Sequence, residues 1–473
     1  FGLRAFSFAL LSATVAWAQP DQSVQDAILA DGLASQAGYT FLGHLCDDFG
    51  GRLTGSPQNF AALERTVAEL KKLGVDARLE TFTMPGWVRG ADEVTMLAPF
   101  KRRLRVSAFS YTQPQDAFDG DVVDIKQGSE ADFAAVKTKG RIGLLAANTS
   151  IPRGQWEVQA RQHGLAALLF INREGGGQLL ARTGSFQGEP LSLPVFCVTQ
   201  EEGLWMSRLL ARGQRVRVRI AAKSKCVDAR TANVVARFPG RTADKIIVGA
   251  HFDSWDLGQG ATDNGLGVAQ LFELARLLKA HAAQNQRTVE IVWFNGEEQG
   301  LWGSRHQAPL TRGQPVAAMV NLDMVGYPTS VNALGHDALL PVLERFAASM
   351  PKERLSEGVV NVNWFGSDHT SYQLEGIPTI TFGAHIDREV VRYYHDFADT
   401  FDKITPKIVA ESSATIAALV YRLANEPDLP TTRATPAEVA ESLRKAGMEE
   451  RLRNVGLWPF ETTAEKTKAV KQR

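Results

Sequence analysis

The hydrophobic positions of the chain follow three successive spacings. Residues 22 to 47 read as helical, "FGGRLTGSP" as a turn, and "NFAALERTVAELKKLG" as an amphipathic helix. In that helix Leu63, Val67, Leu70 and Leu73 recur at three- and four-residue steps, and Gly74 closes it. "VDARLETFTMP" alternates with period two, as a half-buried strand does, and is expected to end at Pro85. From about 106 to 225 the spacing breaks into short apolar runs, "GDVVDI", "GRIGLLAA", "LAALLFINR" and "LSLPVFCVT", with helical stretches "WEVQARQHG" and "GLWMSRLLARG" between them. That texture predicts a separate small β-rich domain. After 226 strand and helix alternate. "TANVVARFPG", "KIIVGAHFDS", "RTVEIVWF", "VAAMVNLDMVG" and "IPTITFGAH" are the strands. The helices are "GLGVAQLFELARLLKAH", a stretch near 337 to 349, and roughly 406 to 425. In the first of these Val268, Leu271, Phe272, Ala275 and Leu278 share one face. Continuous apolar strands interleaved with helices predict an α/β fold: a mixed, largely parallel central sheet flanked by helices, interrupted by the inserted small domain.

At 473 residues the chain exceeds one ordinary core, in keeping with two domains. Its 52 basic and 52 acidic residues cancel, which argues against binding nucleic acid or an anionic membrane through a global field. Arg4, the run "AFSFALLSATVAWA" and the small-x-small triplet Ala16-Trp17-Ala18 read as a signal peptide cleaved after Ala18, so an exported protein is expected. The first residue is not Met, so the start is expected to lie further upstream. No later window reaches the roughly 18 apolar residues that span a bilayer, and no membrane association is expected. The three cysteines form no C-x-x-C pair, which excludes a structural zinc finger. Export permits one disulfide; Cys197 and Cys226, flanking one insert, are the favoured pair, and Cys46 reads as packing.

The chemistry gathers at strand ends. "KIIVGA" ends in His251-Phe252-Asp253, the loop "DLGQGATDNGLG" carries Asp263 just before a helix, and "EIVWF" leads to Glu297-Glu298. "MVNL" ends in Asp323, and "TITFG" is followed by His385 and then His395. Active sites of such sheets lie at the carboxyl ends of the strands. Carboxylates gathered there repel unless a cation joins them. Two histidines with several carboxylates suit zinc or another first-row metal better than calcium or magnesium.

In that order, H-x-D, Asp, Glu-Glu, Asp and His resemble the two-zinc aminopeptidase and glutamate carboxypeptidase family of exported metallopeptidases. "HFDSWDLGQGATDNGLG" is especially similar to its plasma glutamate carboxypeptidase branch. The likeness covers roughly 35 to 105 and 226 to 425, and the insert, with "VKTKGRIGLLAAN" and "HGLAALLFIN", resembles a protease-associated domain. The resemblance implies these divisions: signal peptide 1–18, catalytic domain in two parts, 19–105 and 226–427, protease-associated insert 106–225, and a polar tail 428–473 that packs through "VGLWPF" or dangles.

It implies two zinc ions, one held by His251 and Asp323, the other by Glu298 and His395, with Asp263 bridging both. Glu297 is then the general base, Asp253 orients His251 through its other ring nitrogen, and Tyr394 stands where some relatives stabilise an oxyanion. The peptide after Asp263 is implied to be cis. His395, in "YYHDFADT", matches the family pattern better than His385. His369 lies in a segment that lines the substrate pocket in this branch, while His44, His163, His281, His306 and His336 read as surface or packing residues. The implied activity is hydrolysis of dipeptides or removal of terminal residues from short peptides. Alternatives on the same scaffold are an aminopeptidase for longer peptides, a one-zinc glutaminyl cyclase, and a non-catalytic ectodomain; a homodimer is in keeping with the branch. A serine hydrolase is excluded, since no G-x-S-x-G elbow occurs.

Overall fold

A computed structural model describes residues 19–281, 285–430 and 432–460. The expected signal peptide, and the tail beyond 460, lie outside the described residues. In chain order the strands are β1 (Ala77–Val88), β2 (Glu93–Ala98), β3 (Arg102–Arg103), β4 (Val106–Ala108), β5 (Gln115–Asp124), β6 (Ile142–Leu145), β7 (Ala167–Ile171), β8 (Val195–Val198), β9 (Arg217–Ala222), β10 (Lys225–Phe238), β11 (Lys245–His251), β12 (Thr288–Phe294), β13 (Val316–Asn321), β14 (Tyr327–Asn332), β15 (Gly358–Val360) and β16 (Thr379–His385).

The first sheet runs β1-β10-β12-β11-β13-β16-β14-β15. Its middle, β12-β11-β13-β16, is parallel, with antiparallel pairs on both sides. Successive side chains of a strand face opposite sides, and both sides are covered here. Ile246, Val248, Ala250, Ile291 and Trp293 join the core formed with helices Gln22–Ala34, Ala37–Phe49, Leu266–His281 and Pro406–Asn425. Ile247, Val292, Phe294 and Met319 pack on the other side with Ala308, Tyr372 and Ile377. Two buried faces are why these strands read as unbroken apolar runs. The predicted face of helix Leu266–His281 lies in the first core.

Two local expectations are corrected. The helical stretch from 22 breaks at Ser35, an extended residue whose N–H still donates to the Gly32 carbonyl. β1 does not end at Pro85 but runs on to Val88, pairing Pro85 with Asp228. It is an edge strand, where a residue without an N–H is tolerated.

The second sheet runs β3-β2-β9-β5-β6-β7-β8-β4. It begins upstream of the expected boundary at 106, because β2 pairs with β9 and β3 with β2. The chain leaves the first sheet at Val88 and returns at Lys225, residues that pair across β1 and β10. The second sheet has its own core, including Val94, Ile142, Leu168, Phe196 and Ile220. The favoured disulfide is absent: Cys46, Cys197 and Cys226 are free thiols. Cys197 is buried in the second core on β8, while Cys226 turns its sulfur toward the Tyr111 carbonyl, 3.6 Å away. The described part of the polar tail, up to residue 460, packs. Helices Pro436–Lys445 and Glu449–Asn454, followed by "VGLWPF", bury Val439, Leu443, Leu452, Leu457 and Trp458 against Phe186 and Leu301. No helix among the described residues is long and apolar enough to cross a membrane.

Candidate metal centre

Adjacent parallel strands deliver their chemistry to one edge. His251 is the last residue of β11, Glu297 and Glu298 follow β12, and Asp323 follows β13. Gly296, with φ of 89°, lets the chain turn sharply out of β12. Asp263 sits on the loop before helix Leu266–His281, and its peptide bond to Asn264 is cis. One Asp263 carboxylate oxygen lies 3.1 Å from His251 Nε2, the other 3.0 Å from His395 Nε2. Each imidazole has a second carboxylate: Asp323 at 3.5 Å from His251, and Glu298 at 3.0 Å from His395. Two donor sets, His251–Asp263–Asp323 and Asp263–Glu298–His395, therefore share one aspartate. Glu297 lies beside both, with donor atoms close to those of His251 and Glu298.

The donor set fits a metal on three counts. Nitrogen and carboxylate ligands at about 2.1 Å from a tetrahedral zinc lie about 3.4 Å apart, close to the separations here. Glu298 Oε1 is buried without a hydrogen-bond partner. The electrostatics also favour positive charge. Burial opposes charge on His395, yet Glu298 and Asp263 raise its imidazole to about 9. Burial opposes charge on His251 as well, and Asp323, Asp253 and Asp263 outweigh it. Burial raises Glu298 to about 7 and Glu297 well above the ordinary carboxyl range, with like charges nearby adding to the effect.

The supporting contacts differ in part from expectation. The His251 Nδ1 partner is the backbone carbonyl of Asp253, at 3.0 Å, rather than its carboxylate, at 3.7 Å. The buried Asp253 carboxylate instead accepts the amides of Glu297 and Glu298, at 3.1 and 3.2 Å, and so fixes the two-glutamate turn. Asp399 does the same for the shared aspartate, accepting the amides of Thr262 and Asp263 at 2.8 and 3.0 Å. His395 has φ of 59°, and its Nδ1 lies 3.0 Å from the carbonyl of Ala181 in the insert, whose N–H donates back to the His395 carbonyl at 2.9 Å. Thr183, also in the insert, donates to the Glu298 carbonyl at 2.6 Å.

Arg52 has no exposed surface, and its guanidinium donates to the carbonyls of Phe252, Gln259 and Gly260 at 3.0, 2.7 and 3.0 Å. It holds the loop that carries Asp263 and brings a cation near Asp253, Asp263 and Asp399. Arg52→Met is expected to destabilise the fold by about 3–5 kcal/mol, since it leaves buried acceptors and carboxylates uncompensated. Chemical denaturation at fixed metal concentration checks this; a loss below about 1 kcal/mol contradicts it.

A cavity of about 340 Å³ opens onto the site, lined by His251, Asp263, Glu297, Glu298, Asp323 and His395, with Tyr394 and, from the insert, Arg153, Thr183 and Phe186. The Tyr394 ring stacks on the His395 imidazole, centroids 3.6 Å apart. His385 ends β16 exposed to solvent, away from the donor sets. His369 is buried against Trp364 and does not line the cavity, whereas Trp364, Phe365 and Gly366 of its segment do. Its neighbour Asp368, buried with neither carboxylate oxygen hydrogen-bonded, is pushed up to about 7 by burial. Of the remaining histidines, His163 stacks on Phe133, His306 on Phe82, and His281 pairs with Asp31 at 2.7 Å. His44 is exposed, and His336 is largely buried with Nε2 unpaired.

Residues 233–420 match the family model described as Peptidase family M28. Carboxypeptidase Q of Bos taurus is 26% identical over 414 residues, 83% of this chain and 86% of that protein. A Peptidase M28 precursor from Shewanella amazonensis SB2B has the same fold, with a TM-score of 0.77 at 22% identity over 88% of this chain and 99% of that one. So has BSAP, a zinc aminopeptidase from Bacillus subtilis, with a TM-score of 0.66 at 21% identity over 86% of this chain and 98% of that one.

Proposed function

We propose that the protein is an exported exopeptidase that carries two zinc ions and hydrolyses short peptides, dipeptides among them. The observation that carries the reading is Asp263, whose two oxygens meet two different histidines, each with a further carboxylate. His251, Asp263 and Asp323 would hold one ion, and Asp263, Glu298 and His395 the other. Zinc bound there supplies Lewis acidity, acidifying a water and polarising a peptide carbonyl. Glu297, partly open to the cavity, takes the proton of the attacking water as its oxygen bonds to the carbonyl carbon. It returns that proton to the nitrogen of the leaving amine as the C–N bond breaks. Tyr394, whose phenol burial keeps protonated, lies at the cavity wall and donates to the developing oxyanion. A cavity of about 340 Å³ is at the small end of ligand pockets, about 300–1,000 Å³, which favours short substrates.

The second sheet is read as a protease-associated domain, and the N-terminal pattern up to Ala18 supports export. Metal analysis tests the core of the proposal. The purified protein is expected to contain two zinc ions per chain, to lose dipeptide hydrolysis on exhaustive chelation, and to regain it on zinc addition. Hydrolysis that survives complete metal removal contradicts the proposal.

A further inference from the structure

The cavity is electrically one-sided. Asp263, Glu297, Glu298 and Asp323 line it with His251 and His395, and the one lysine or arginine among the lining residues is Arg153. It comes from the insert, outside both donor sets. Among the described residues, no carboxylate forms an ion pair with it. An arginine facing an acid-rich cavity without a partner of its own has five N–H donors available to a ligand.

Its surroundings hold it there. The guanidinium lies over the Phe186 ring, 4.7 Å from the centroid. Phe186 is itself fixed: its carbonyl accepts from Arg305 at 2.7 Å, and its ring packs in the cluster formed with the C-terminal helices. The loop bearing Arg153 is tied to the same helices, since Gln155 Nε2 donates to the Asn454 carbonyl at 2.8 Å. Gly366, also in the cavity lining, lies beside the guanidinium: a Cβ there would be 3.7 Å from Arg153 Nη1.

We infer that Arg153 is a specificity-determining residue that binds the free α-carboxylate of the substrate, so that the enzyme prefers dipeptides to peptides with a blocked or extended carboxyl end. The inference rests on the exopeptidase reading above. A planar guanidinium matches a carboxylate in a two-point, charge-assisted contact. Arg153 is the one cation in the lining that lies outside the donor sets and so is open to a substrate carboxylate.

The test is steady-state kinetics of the zinc-loaded full chain on alanyl-phenylalanine and on its C-terminal amide, for the parent protein, Arg153→Ala and Arg153→Lys. The parent is expected to favour the free acid by about tenfold or more in kcat/KM. Arg153→Ala is expected to lower kcat/KM on the acid by about 10- to 100-fold, chiefly through KM, and to leave the amide unchanged. Arg153→Lys recovers part of the preference. Equal losses on both substrates, or no loss on either, overturn the assignment of Arg153 and leave the exopeptidase reading standing. Failure of the zinc-loaded parent to cleave either substrate overturns that reading as well.

Discussion

Glu297→Gln is expected to lower kcat on a dipeptide by about 10²- to 10⁴-fold, the usual weight of a positioned general base, with zinc content unchanged. The amide has nearly the shape of the carboxylate but cannot accept the proton of the attacking water. Glu297 stands outside both donor sets that share Asp263, so its substitution leaves those sets intact. Glu298 is different: one of its oxygens lies 3.0 Å from His395 Nε2, within a donor set. Glu298→Gln should therefore lose metal as well as activity. Parallel kinetics and elemental analysis of the two variants check the division. If Glu297→Gln sheds zinc, the roles given to the two glutamates are reversed.

Asp263→Ala is expected to remove activity and to weaken zinc binding by more than about 100-fold. Substituting residues that merely orient a ligand already costs 10–100-fold. The effect should exceed that of losing any other donor, because both sets lose a member at once. The Asp399 contacts run to the backbone amides of Thr262 and Asp263, which the substitution retains. Competition against a chromophoric chelator measures the affinity, and thermal melting of the metal-free protein checks that the fold persists. Tight binding of two ions by this variant would contradict the shared-aspartate arrangement.

Much of the candidate site was readable because apolar runs mark where strands end. His251, Glu297, Glu298 and Asp323 each follow such a run, and strands buried on both faces leave little doubt about direction. His395 was not readable that way. It lies ten residues beyond β16, and the histidine at the strand end, His385, points to solvent. Only the family pattern separated the two. The supports were illegible for a physical reason: many are backbone atoms, such as the Ala181 carbonyl and the amides of Thr262, Glu297 and Glu298, which leave no residue-type signature. Arg52 looks like any loop arginine until its carbonyl partners are brought around it. In the fold, β2 alternates as an edge strand of either sheet would. Its partner β9 lies far along the chain, so no local signal showed that the second sheet starts upstream of 106.

The reciprocal backbone pair between Ala181 and His395 bears on how this chain can be engineered. A family match confined to 233–420 invites expression of that segment alone, or exchange of the inserted layer for one from a relative. Either operation takes away the carbonyl that fixes the last imidazole, the Thr183 hydroxyl on Glu298, and the Arg153 wall of the cavity. The two layers are separate in their hydrogen-bonded sheets, yet both supply contacts to the candidate site. A transplant that keeps these contacts carries Ala181, Thr183 and Arg153 together with the residues they meet.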